Sequence, residues 1–244
     1  MFRLALGIFV SLFLTQCDEK KYKDENVIHV GLSSDYPPFE SRNDNNEIVG
    51  FDVDLANMIG KALNKNVVFI DMPLSSLLNS LNVDKVDMII SSATITEERK
   101  KKFDFSVPYF FNRLTLVSRK NMPVVTVEEC RNKKVGTQLG SIFVAYLVEH
   151  QIKDIVTMDL FPQLIEALKA KHVDAVVMDY TSAVDFANKN KGLVYHFLER
   201  AKESNGTAVV FKKDSEWKSQ VDGVIAQLKS SGALAKLENK WVGS

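Results

Sequence analysis

Two cysteines and four histidines are all the thiol and imidazole ligands that 244 residues carry. Cys17 and Cys130 stand apart, and His29, His150, His172 and His196 are scattered, so no zinc spacing and no convincing Cys–His pair exists. Metal sites and thiol catalysis are excluded on this reading, and no cofactor is expected. Excess charge is also missing: 31 Lys and Arg balance 31 Asp and Glu, with a pI near 6.9. That removes the electrostatic case for a nucleic-acid partner. Eleven Gly and six Pro are too few for low-complexity sequence, so disorder is expected only at the ends.

A long membrane span is absent from the N-terminus too. After Arg3 comes "LALGIFVSLFL", an apolar run of eleven residues, short for a bilayer but right for a secretory signal. No A-x-A-like cleavage site follows. Cys17 follows shortly after the run, as in a bacterial lipoprotein signal whose cysteine is lipidated, although Gln16 stands where a small residue is usual. A plain secreted form and an uncleaved anchor are the alternatives. The expected division is a lipoprotein signal over 1–17 and a polar tether over 18–26.

What remains alternates short apolar runs with helical periods. "VIHVGLS", "NVVFIDM" and "KVDMIISS" read as strands; "FDVDLANMIGKALN" and "LSSLLNSLNVD" read as helices, the first with Val53, Ala56, Ile59 and Leu63 on one face. A second series follows: "KKVGTQLG", "SIFVAYLVEHQI", "DIVTMD", "LIEALKAKH" and "VDAVVMD". Such alternation implies an α/β fold with mainly parallel sheets flanked by helices. "LLNSLNVDKVDMIISS" and "LIEALKAKHVDAVVMD" repeat one design, a helix, a polar turn, Val-Asp and an apolar strand, and each ends at a strand terminus where open α/β sheets bind ligands. "RLTLVSRKN" reads as a strand crossing between halves, "GTAVVFKKD" as a late strand, and the tail as two helices broken near Gly232. Two lobes follow, 27–115 with 207–244 and 116–206, joined by two crossing hinge strands around a cleft.

The stretch "SSATITEER" (91–99) leaves its strand through four hydroxyls and ends in an arginine. Alone it reads as a strand end with a Thr cap. Together with "DYPPFE", "GFDVDLANMIGKAL", "VDMIISSATITEERKKKFDFSVPY", "KKVGTQLGS" and "LENKW", in this order over roughly 27–242, it resembles the bacterial extracellular solute-binding proteins of family 3. These are polar amino-acid receptors of ABC importers with the type II periplasmic-binding-protein fold.

A free amino acid brings a carboxylate and an ammonium, each costly to bury unpaired. The resemblance implies that Arg99 grips the carboxylate with the Thr94 N–H, a planar fork suited to it. Ser141 and the Ile142 N–H would help from the other lobe, Gly140 letting the backbone approach. Asp179 would be the counter-ion of the ammonium, near the Ser91 carbonyl and the Ser92 hydroxyl. Tyr36 would stack on the substrate side chain, and Glu40 matches a position that meets the guanidinium in arginine-binding members. Ser33 stands where lysine and arginine receptors often carry an acid, and Leu74 where an aromatic is usual. Arginine is favoured, with glutamine as the neutral alternative. The implied protein is a monomeric, non-enzymatic receptor outside the cytoplasm, lipid-anchored and partnered by a permease.

Simpler readings of single residues stand beside these. Asp179 could cap the helix "YTSAVDFA". Asp52 and Asp54 open a helix, where acids suit the dipole. Tyr36 and Phe39 could be core, and Cys130 packs as a small apolar side chain. A prephenate or arogenate dehydratase on the same scaffold is the alternative function, and it would need a further acid or base in the cleft.

Overall fold

The computed structural model describes residues 24–200 and 206–243, without the side chains of Glu199 and Arg200. The expected signal peptide with Cys17, and the tether as far as residue 23, lie outside the described residues. Residues 24–26 are folded against the body: Asn66 N donates to the Asn26 carbonyl at 2.7 Å.

The first half runs β1 (Val27–Leu32), β2 (Asp35–Tyr36), β3 (Glu40–Arg42), β4 (Ile48–Val49), α1 (Phe51–Ala62), β5 (Asn66–Asp71), α2 (Leu74–Asn82), β6 (Met88–Ile89), α3 (Glu97–Lys100) and β7 (Phe103–Phe105). The second runs β8 (Arg113–Arg119), a 3-10 turn, β9 (Lys134–Gln138), α4 (Phe143–Glu149), β10 (Asp154–Met158), α5 (Phe161–Lys169), β11 (Ala175–Asp179), α6 (Tyr180–Lys189) and β12 (Leu193–Arg200). The chain then returns through β13 (Val210–Lys212), α7 (Trp217–Ser230) and α8 (Ala233–Trp241). Two five-stranded sheets result, ordered β5-β1-β6-β13-β7 and β10-β9-β11-β8-β12, with a small β2-β3-β4 sheet beside them. Each large sheet has three parallel strands extended by an antiparallel pair.

The repeated design has a physical cause. In each half the helix ends in a residue with positive φ, Asp84 (53°) and Lys171 (65°), and the next N–H closes the turn on Ser80 O or Ala167 O. The valine that follows is buried, and the aspartate after it locks onto the neighbouring parallel strand, β1 or β9. Asp87 accepts from His29 N at 2.8 Å, and Asp174 accepts from Lys134 N at 3.1 Å. Each parallel strand is thus registered by a carboxylate at its start, and its far end, Ser92 or Asp179, is delivered to the gap between lobes.

"RLTLVSRKN" does not cross. Its strand β8 lies wholly inside the second sheet, from Arg113, slightly before the expected division at 116. The crossings precede β8 and β13 and run side by side: Thr207 N donates to Phe110 O, and Tyr109 N donates to Thr207 O, both at 2.8 Å. Gly232, at φ 72°, breaks the terminal pair as expected. Cys130 is fully buried in the core, where burial pushes its thiol up to about 11, which fits an inert packing role. No described helix is long and apolar enough to cross a membrane.

Candidate functional site

The strand ends of both lobes, α3 and the start of the small sheet line one cavity. Of the expected site residues, Ser33, Tyr36, Glu40, Leu74, Ser91, Ser92, Thr94, Arg99, Ser141, Ile142 and Asp179 line it. Gly140 lies just outside, at φ 82°, in a neighbouring groove, and a Cβ there would stand 3.1 Å from Ser75 Cα. Its close approach is therefore to α2 of the facing lobe. The cavity leaves about 30 Å³ for the centres of water-sized atoms, room for about two waters.

Arg99 is positioned from its own helix start. Thr96 caps α3 by accepting from Arg99 N, and the guanidinium turns back so that Nη1 donates to Thr94 O at 2.9 Å. Nη2 donates across the gap to Gly140 O at 3.0 Å. Burial lowers the Arg99 pKa, the cost of holding a cation at this depth. The hydroxyl row above it comes from a strained turn. Ser92 has φ 45°, with its N–H held by Asp52 Oδ2 and its Oγ buried without a hydrogen-bond partner among the described residues. Ser91 Oγ donates to Glu40 Oε1 at 2.7 Å and accepts from Ser33 N. Ser141 Oγ donates to Gln138 O.

Asp179 occupies the N-cap position of α6, yet its side chain makes no capping bond. Its carboxylate faces the cavity and accepts from Tyr36 Oη at 2.8 Å, while Asp179 N donates to the same hydroxyl at 3.0 Å. Burial pushes the acid up to about 7, with Tyr36 pulling the other way. The capping reading is thereby corrected: the carboxylate makes no cap and is held at the gap by Tyr36. Tyr36 is buried in the core and also forms cavity wall, its ring stacked on Phe161 at 4.7 Å between centroids. Phe39 is core.

Five cavity residues escaped sequence reasoning: Asp35, Ala93, Gln138, Phe143 and Phe161. Asp35 matters most. On the first lobe, it accepts from Ser33 Oγ at 2.6 Å. From the second lobe it accepts Phe161 N at 2.8 Å and Gln138 Nε2 at 3.1 Å. A carboxylate of one lobe thus meets the first N–H of a helix in the other. Its presence in "DYPPFE" was the available signal. Asp52 and Asp54 do open α1, but their tasks diverge. Asp54 pairs with Lys240 and Trp241 at the surface, whereas Asp52 lies under the cavity floor beside Glu40 and Tyr109, its Oδ2 accepting from Ser92 N.

Two lobes that meet around a cavity whose walls hold separate cationic and anionic handles define a binding protein of the type II periplasmic-binding fold. Residues 28–244 match the bacterial extracellular solute-binding proteins, family 3, and the chain belongs to that family. It is 30% identical over 250 residues to the arginine-binding extracellular protein ArtP of Bacillus subtilis, covering 98% of this chain and 96% of that one. It is 29% identical over 244 residues to the L-cystine-binding protein TcyJ of Escherichia coli, covering 99% and 92%. A crystal structure of the amino acid ABC transporter substrate-binding protein AbpA of Streptococcus pneumoniae, bound to L-arginine, superposes with a TM-score of 0.83. It shares 35% identity and covers 88% of this chain and 94% of its own. These relatives are solute-binding proteins.

Proposed function

We propose that this protein is the receptor of an amino-acid ABC importer, and that its ligand is a basic amino acid, arginine foremost. The observation that carries the choice of ligand is the charge of the cavity wall. Three carboxyl residues, Asp35, Glu40 and Asp179, face one guanidinium, Arg99. A zwitterion uses Arg99 for its carboxylate, with the Thr94 and Ile142 N–H groups and Ser141 alongside. It uses Asp179 for its ammonium, with the Ser91 carbonyl and Ser92 hydroxyl. Asp35 is taken up by its bonds between the lobes. Glu40, 1% exposed, is left with an oxygen that has no donor among the described residues, which fits a cationic side chain reaching past Ser33, Leu74 and Tyr36.

The cavity in its present width is too small for such a ligand, so capture starts from lobes further apart and ends in closure. The carboxylate grip lies mainly on one lobe (27–115 with 207–244) and the acid on the other (116–206), so both are satisfied only when the lobes meet. In this reading the protein works outside the cytoplasm, as a monomer tethered by lipid on Cys17, and passes its ligand to a permease. It acts without catalysis.

Isothermal titration with the common amino acids tests the assignment. One tight basic ligand is expected, weakened at least about 100-fold by Arg99→Ala, the loss of a buried charge partner. Tightest binding of a neutral amino acid would overturn arginine. Unchanged binding in Arg99→Ala would overturn the handle, and turnover of prephenate would overturn the receptor.

A further inference from the structure

Beneath the cavity floor sits a pair of acids that ligand recognition alone does not explain. Glu40 (β3) and Asp52 (α1) are 1% and 0% exposed and close enough to interact. Glu40 Oε1 accepts from Ser91 Oγ and Asp52 Oδ2 accepts from Ser92 N, while Glu40 Oε2 and Asp52 Oδ1 have no donor among the described residues. Two buried carboxylates side by side are all acceptors and repel each other, and a proton held between them would serve both free oxygens.

The surroundings offer no other way to settle the charge. Asp35, a further acid, faces Glu40, and the Tyr109 hydroxyl of the crossing segment lies near Asp52 without a hydrogen-bond partner among the described residues. Ser33, Ser91 and Ser92 are neutral. Asp179 and Arg99 are the remaining ionisable cavity residues besides Tyr36, and Arg99 is directed to Thr94 O and Gly140 O. Burial raises both acids of the pair, and the Asp52 charge raises Glu40 further. A structural role accounts for Asp52, which pins the strained Ser92 N–H. It does not account for Glu40, which lines the cavity.

We infer that the Glu40–Asp52 pair carries one proton when no cationic side chain is bound, and that a basic amino acid is captured in exchange for that proton. The balance is simple. The ligand's side-chain cation enters, the shared proton leaves to solvent, Glu40 becomes the carboxylate facing the cation, and the charge of the site is unchanged. A neutral amino acid has no cation to offer and leaves the proton in place. The pair then discriminates by charge, and more sharply as pH rises. This rests on the basic-ligand reading above.

Calorimetry of the full-length mature protein at pH 7, in phosphate and in Tris, counts the protons released. Citrulline is the neutral isostere of arginine. Arginine is expected to release about one proton more than citrulline, and its affinity to rise by up to about tenfold per pH unit between pH 5.5 and 7.5. In Glu40→Gln, arginine binding should weaken and the extra release disappear, with thermal melting checking the fold. Where citrulline binds too weakly to titrate, the parent and Glu40→Gln supply the same difference with arginine alone. Asp52→Asn, which leaves Glu40 beside a neutral amide, should bind arginine with less release. Arginine bound without extra release by the parent overturns the exchange while leaving the basic-ligand reading intact. A protein that takes only neutral amino acids overturns both.

Discussion

Replacing Asp179 by Asn should move closure and affinity in opposite directions. In the closed cavity this carboxyl is pushed from 3.8 to about 7 by burial. A difference of about three pK units corresponds to about 4 kcal/mol against closing on the ionised acid. Because the closed-state pKa lies above the open-state one, protonation favours the closed form. That contribution is full below about pH 4 and is lost as pH rises through about 7. The empty parent protein should therefore open between pH 5 and pH 8, with its radius of gyration in small-angle scattering rising. Asp179→Asn carries no charge to bury, so its empty form should stay compact at pH 8. The same change strips the ligand ammonium of its counter-ion. Removing one member of a buried pair costs about 3–5 kcal/mol, or about 100- to 5000-fold in affinity. A role in folding alone would lower compactness and affinity together. An Asp179→Asn protein that is more open than the parent at pH 8, or that binds within about threefold of it, refutes the reasoning.

Gly140→Ala should weaken ligand binding about tenfold, because φ 82° disfavours a side chain and the new Cβ would press on Ser75 across the cleft. Titration calorimetry checks it, and parental affinity would place that close approach outside the bound state. Cys130, in a Cys17→Ser chain, should resist a thiol reagent at pH 8 in the native protein, since its thiol is buried and pushed up to about 11, and should react at once in denaturant. Stoichiometric labelling without denaturant would contradict that packing.

The parts of this molecule that were readable from sequence are those decided locally. The period of α1, the helix–turn–Val-Asp–strand unit written twice, and the break at Gly232 each depend on residues within a turn or two. The hydroxyl row and Arg99 were readable for the same reason, since Thr96 caps the short helix that aims the guanidinium. What escaped was decided at long range. Asp35 escaped because its partner, Phe161 N, comes from 126 residues away. Asp52 and Asp54 are alike in sequence as helix-start acids, and only packing sends one under the cavity and the other to Lys240. β12, in "LVYHFLER", was missed because its pairing partner β8 had been assigned to a crossing.

The twin passages between the lobes, tied together where Phe110 meets Thr207, leave the body a single swivel. Any residue that stiffens or slackens that swivel alters how tightly every ligand is held by the same factor, without altering which ligand is preferred. Such a receptor can be retuned to rich or poor surroundings from a place no nutrient ever touches.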